Sequence, residues 1–77
     1  MRVTYDAEAD AAYITIAAGI AEGAATQQLH SIATPGGLGE IILDFGSDNR
    51  LLGLEILNAS LVLPQNVVES AKSPAWL

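Results

Sequence analysis

The 77-residue chain has no cysteine, one histidine and three basic residues. Without cysteine there is no disulfide and no thiolate zinc site, and a single histidine cannot build an imidazole cage for a metal. The bases Arg2, Arg50 and Lys72 lie far apart and stand against nine acids, for a net charge of -6. Phosphate contact needs a basic patch that releases counterions, so nucleic-acid binding is not expected, nor is attraction to anionic membranes. Long apolar runs are missing too. The most apolar window, Leu51 to Leu63, carries Glu55 and Asn58 and is too short to span a bilayer. The opening residues Met1 to Asp6 lack the apolar stretch of a secretory signal, which makes a cytoplasmic location the expectation.

Apolar residues make up 51% of the chain, but thirteen of them are alanine, so few large side chains remain to fill an interior. The length suits one domain over residues 1–77 and no second core. A domain of this size gains barely enough from burial to offset its ordering entropy and usually leans on a disulfide, a metal or another subunit. With the first two excluded, oligomerisation is the expected support.

The pattern predicts an α+β fold, a small antiparallel sheet of four to five hairpin-connected strands over 1–57 and a helical segment over 58–77. Arg2 to Tyr5 and Ala12 to Ile16 alternate in β-branched and aromatic residues around a short acidic turn, so they pair as a hairpin. Asp6 suits that turn as an Asx or capping residue. The stretch 17–25 is an alanine- and glycine-rich connection, and Thr26 to Ala33 is a polar edge strand ended by the turn signal Pro35-Gly36. Glu40 to Phe45 and Leu51 to Leu57 flank Gly46-Ser47-Asp48-Asn49-Arg50, a hairpin in which Asp48 and Asn49 suit left-handed backbone. Alternation puts Ile41, Leu43 and Phe45 on one face with Leu52, Leu54 and Ile56, the expected core. Ile42, Leu51, Leu57 and Tyr13 then fall on the other face beside Asp44 and Glu55. After Asn58 the period becomes helical: Asn58 or Ser60 caps a first turn, Pro64 begins a second, and Lys72 complements its end. Trp76 then docks on the core or on another chain.

Three constellations invite a chemical reading. Asp6, Glu8 and Asp10 have the spacing that opens a calcium loop, but Ala11 stands where glycine is required and Ala17 where the bidentate acid is required. Pro35-Gly36-Gly37-Leu38-Gly39 lacks the lysine and the helix start of a phosphate loop. His30 and Ser31 are neighbours in a strand and are expected to point to opposite faces, so they do not meet as base and nucleophile. No cofactor motif is present, and catalysis is not the expected role.

Tyr5-Asp6-Ala7-Glu8-Ala9-Asp10-Ala11-Ala12-Tyr13-Ile14, Ile42-Leu43-Asp44-Phe45 and Leu51-Leu52-Gly53-Leu54-Glu55-Ile56-Leu57-Asn58-Ala59-Ser60 together resemble the small prokaryotic family catalogued as domain of unknown function 2283. The likeness covers roughly residues 1–60. It implies a compact β-rich domain with a short C-terminal helical piece, and no activity. By resemblance Tyr5, Asp6, Asp10, Tyr13, Asp44, Gly53 and Glu55 occupy signature positions, as fold or site candidates. The chain departs from the family at Ser47-Asp48-Asn49, and at Ala11-Ala12, where a larger apolar residue is common; the second departure implies an underfilled strand. The resemblance also implies an antitoxin-like association, since members are often encoded beside toxin-like proteins.

Two functions from different classes compete. The first is a non-catalytic protein-interaction module, a homodimer through Ile42, Leu51, Leu57 and Tyr13 that also binds a basic protein partner. The second is a small ligand- or divalent-cation-binding protein using Asp6, Asp10, Asp44 and Glu55.

Overall fold

Five strands and two short helices follow one another along the chain: β1 Arg2–Asp6, β2 Ala11–Thr15, β3 Gln27–Ala33, β4 Glu40–Phe45, β5 Leu51–Leu57, α1 Ala59–Val62 and α2 Gln65–Ser70. The computed structural model describes residues 1–16 and 24–71. The readings of 17–23, Lys72 and Trp76 lie outside them. The expected α+β class, the edge strand and the two hairpins are all present. A single 3-10 turn, Pro35–Gly37, joins β3 to β4.

All pairings are antiparallel and the order is β1-β2-β5-β4-β3. The last strand therefore lies between its own hairpin partner β4 and β2 of the first hairpin, and the edges fall to β1 and β3. Strand alternation sorts the side chains into two sides. One side carries Val3 and Tyr5, Ala12 and Ile14, Ile56 and Leu54, Ile41 and Leu43, then Ile32 and Leu29, register by register across the sheet. It holds no charged residue, and α1 packs on it over β2 and β5. The far side carries Tyr13, Glu55, Ile42, Gly53, Asp44 and Gln28, with Leu57 and Glu40 at one end.

The structure corrects three expectations, two of the core and one of the register. Of the six residues expected inside, only Ile56 is fully buried, at 3% exposure; its buried companions are Ala12 and Ala59. The alanine at position 12 does not underfill the strand. α1 comes so close that the Ala59 amide bonds the carbonyl of Asp10 at 2.9 Å, and at that separation two methyl groups fill the gap. Around them pack Tyr5, Ile14, Ile41, Leu54, Val62 and Leu63, each partly buried. Gly39 permits the same closeness at the next corner, because a Cβ there would collide with the Leu57 carbonyl and the Val62 side chain. The third correction concerns Leu51. The register shifts between Asp44 and Phe45, so Leu51 pairs with Phe45, and the alternation that places Leu57 and Glu55 on the far side does not carry through to it. A bulge sets two residues of one strand against one of the other and breaks the period of two.

Ile56→Ala is expected to cost about 2–5 kcal/mol, the range for emptying a closed aliphatic site. Leu54→Ala, at a partly exposed position, is expected to cost less than Ile56→Ala. Urea unfolding of the two variants checks the order.

Candidate functional site

The signature positions other than Glu55 fall into two groups built by side-chain hydrogen bonds, one at the end of the sheet and one on its far side. The first is built around the β1–β2 turn. Asp6 Oδ1 accepts the amides of Glu8 at 3.0 Å and Ala9 at 3.4 Å, the Asx geometry expected of it. The turn ends at Asp10, whose φ of 50° is left-handed, and this turns its carboxylate towards α1. Tyr5 donates its hydroxyl to Asp10 Oδ1 at 2.7 Å, the Ser60 amide donates to the same oxygen at 3.0 Å, and the Ser60 hydroxyl donates to Oδ2 at 2.7 Å. Helix starts leave amides without partners, and a side-chain oxygen just before the helix normally serves them. Here Asn58 holds that place but is itself left-handed, and its amide nitrogen donates instead to the Leu38 carbonyl at 3.1 Å. Asp10 caps α1 in its stead, from fifty residues away.

These bonds set the ionisation of the pair. The Tyr5 hydroxyl, and after it Ser60, hold the Asp10 carboxyl below the ordinary carboxylate range. Tyr5 is pushed up chiefly by donating to Asp10 and then by burial.

The second group lies across three strands. Tyr13 on β2 reaches over β5 and donates to Asp44 Oδ2 on β4 at 2.9 Å, while Gln28 on β3 donates to Asp44 Oδ1 at 2.7 Å. Asp44 is 7% exposed, so both carboxylate oxygens are committed inside the protein. The reach depends on Gly53. A Cβ at that position would stand 2.5 Å from the Tyr13 hydroxyl oxygen, on the line that the ring takes across β5. Burial first, then the bond to Asp44 and the charges of Asp44 and Glu55, push the Tyr13 hydroxyl up to about 12.

The four acids proposed as ligands are not brought together. Asp6 and Asp10 belong to the turn, Asp44 is covered by Tyr13 and Gln28, and Glu55 stands in register with Tyr13 and Ile42. Among the described residues no three histidine, aspartate or glutamate side chains are grouped to hold a metal ion. Ile42, Leu57 and Tyr13 share the far side, each partly buried. His30 and Ser31 overturn the expectation that they cannot meet: Ser31 has a φ of 64° at the bulge in β3, alternation fails there, and His30 Nδ1 comes within 3.3 Å of the Ser31 hydroxyl. The pair is fully on the surface of an edge strand. The sequence does not single out Gln28, and it offers Ser60 only as a cap of the first helical turn, not as a partner of Asp10. Ser60 sits in the Asn58-Ala59-Ser60 segment of the family pattern, whereas Gln28 carries no local signal because its partner is fixed only by the pairing of β3 with β4.

The family model described as "Protein of unknown function (DUF2283)" matches residues 2–60. No curated protein and no solved structure matches the chain. The matched span begins at β1 and ends at Ser60, so it takes in every member of both hydrogen-bonded groups. No helix among the described residues is long and apolar enough to cross a membrane.

Asp10→Ala is expected to cost about 1 kcal/mol, as for the loss of a helix cap, with Asp10→Asn costing less because it keeps the acceptor. Because the folded Asp10 carboxyl titrates below its unfolded value, its contribution is present above the ordinary carboxylate range and is lost as pH falls through the folded value. Denaturant midpoints measured from neutral pH down to the acid limb are expected to fall less steeply in Asp10→Asn than in the wild type. On the far side, Gly53→Ala is expected to cost about 1–3 kcal/mol through overpacking against Tyr13. Thermal melting of Gly53→Ala with and without Tyr13→Ala checks this, with part of the penalty recovered in the double variant.

Proposed function

The chain belongs to the DUF2283 family, and from that premise we propose that it is a non-catalytic protein-interaction module that completes its core by pairing with a second copy. One observation carries the proposal: among the described residues Ile56 is the one large apolar side chain that is buried, and its buried companions are two alanines. Among the described residues the two helices, of four and six residues, cannot cover a five-stranded sheet. A small domain left in that condition gains most from a second subunit, and closed twofold dimers are the commonest way to supply one. The carboxylates that would serve acid–base chemistry support the non-catalytic reading, since Asp10 and Asp44 spend their oxygens on Tyr5, Ser60, Tyr13 and Gln28.

The far side supports a second occupant. It holds Asp6, Glu40 and Glu55, with Arg2 as the basic residue in its register, and that balance suits a basic protein surface.

Light scattering coupled to size exclusion tests the pairing. The expected mass at tens of micromolar is twice the chain mass of 8.0 kDa. The melting temperature is expected to rise with protein concentration, as it does whenever association stabilises the folded state. A single-chain mass that persists on concentration is the result that defeats the proposal.

A further inference from the structure

Building on that self-association, we infer that the second copy docks on the helix side of the sheet, over β3 and β4 beside α1, and not on the far side. Register places Leu29 next to Leu43 and Ile32 next to Ile41 on the helix side. Leu29 is 57% exposed and Ile32 38%, because α1 covers β2 and β5 and stops short of the outer strands. Apart from Met1, the other exposed large apolar residues of the described chain are Leu38 at 49% and Leu61 at 59%. They belong to one corner, where the Asn58 side chain ties the Leu38 carbonyl to the start of α1. Exposed bulk is thus gathered on β3, the loop after it and α1.

Charge selects the occupant. A chain of net charge -6 repels its own copy wherever acids would meet. The far side would set Asp6, Glu40 and Glu55 against the same three carboxylates across a twofold axis. The helix side carries no charge in any register position of the sheet, so two copies can meet there without opposing carboxylates. The contact is face to face rather than strand to strand. All seven residues of β3 are exposed, but the register break between Leu29 and Ile32, with Ser31 left-handed, interrupts the ladder that an added strand would need.

The full chain and three variants decide the matter. Leu29→Asp/Ile32→Asp is expected to run at the single-chain mass, with unchanged far-ultraviolet circular dichroism, at concentrations where the wild type runs at twice that mass. Ile42→Asp, on the far side, is expected to keep the double mass. A further measurement avoids a charged substitution. The chain has no cysteine, so Leu29→Cys carries a single thiol, and its alkylation by a maleimide is expected to slow as concentration rises through the dimerisation range. A double mass that survives Leu29→Asp/Ile32→Asp and is lost in Ile42→Asp overturns the docking side and leaves self-association standing. A single mass for the wild type at every concentration removes both. Slow alkylation that does not depend on concentration means that a segment of the same chain covers β3, and it overturns the inference as well.

Discussion

The Asp10 carboxylate is the constraint on which the arrangement of helix and sheet depends. It receives one hydroxyl from its own hairpin through Tyr5, and an amide and a hydroxyl from Ser60, fifty residues along the chain. Charged acceptors make the stronger hydrogen bonds, and this one satisfies a helix start that has no local cap. α1 has only four residues and no helical stability of its own. Its position is therefore set by what holds its first turn, and that turn is held at the β1–β2 connection. The small side chains follow from this. With the Ala59 amide bonded to the Asp10 carbonyl, the helix lies too close to β2 for anything larger than alanine at positions 12 and 59.

The second carboxylate works on the opposite side of the sheet and fixes register where the first fixes docking. Burying Asp44 without partners would cost several kilocalories per mole, so its position is tolerable only where Tyr13 and Gln28 both reach it. Tyr13 reaches it only because the residue between them on β5 is Gly53. A slip of one residue in β4 would carry Asp44 to the uncharged side and leave Tyr13 and Gln28 without an acceptor. The acidity of the chain is thus partly a device of folding. Two of its nine acids hold the fold through hydrogen bonds to neutral donors rather than through salt bridges, which is consistent with the scarcity of bases.

Much of this was legible in the sequence, and the failures have physical causes. Alternation over Glu40–Phe45 and Leu51–Leu57 located the central hairpin, and the order of turns located the others. Strand order was not legible, because a chain of hairpins does not say that β5 enters between β2 and β4. The role of Asp10 escaped for the same reason: a cap is sought just before its helix, and this one comes from the other end of the sheet. The core was misjudged because residues were ranked by size, whereas close approach of α1 makes alanine the buried residue. At Ser31 and at Leu51 the period of two was carried through positions where bulges break it. The family pattern, by contrast, singled out Tyr5, Asp10, Tyr13, Asp44 and Gly53 together, and the structure divides them between the two hydrogen-bonded groups.

These two groups leave the sheet with sides of different chemistry, and that difference bears on how so small a protein persists. On the helix side hydrophobic burial is the available driving force, and it grows with the area covered. α1 covers part of it, over β2 and β5. On the far side the polar contacts among Tyr13, Asp44 and Gln28 are already complete within the chain, so further covering there would have to offset the desolvation of Glu40 and Glu55 before it gained anything. Stabilisation from outside the chain is therefore easiest to add where the chain itself is least finished, over β3 and β4.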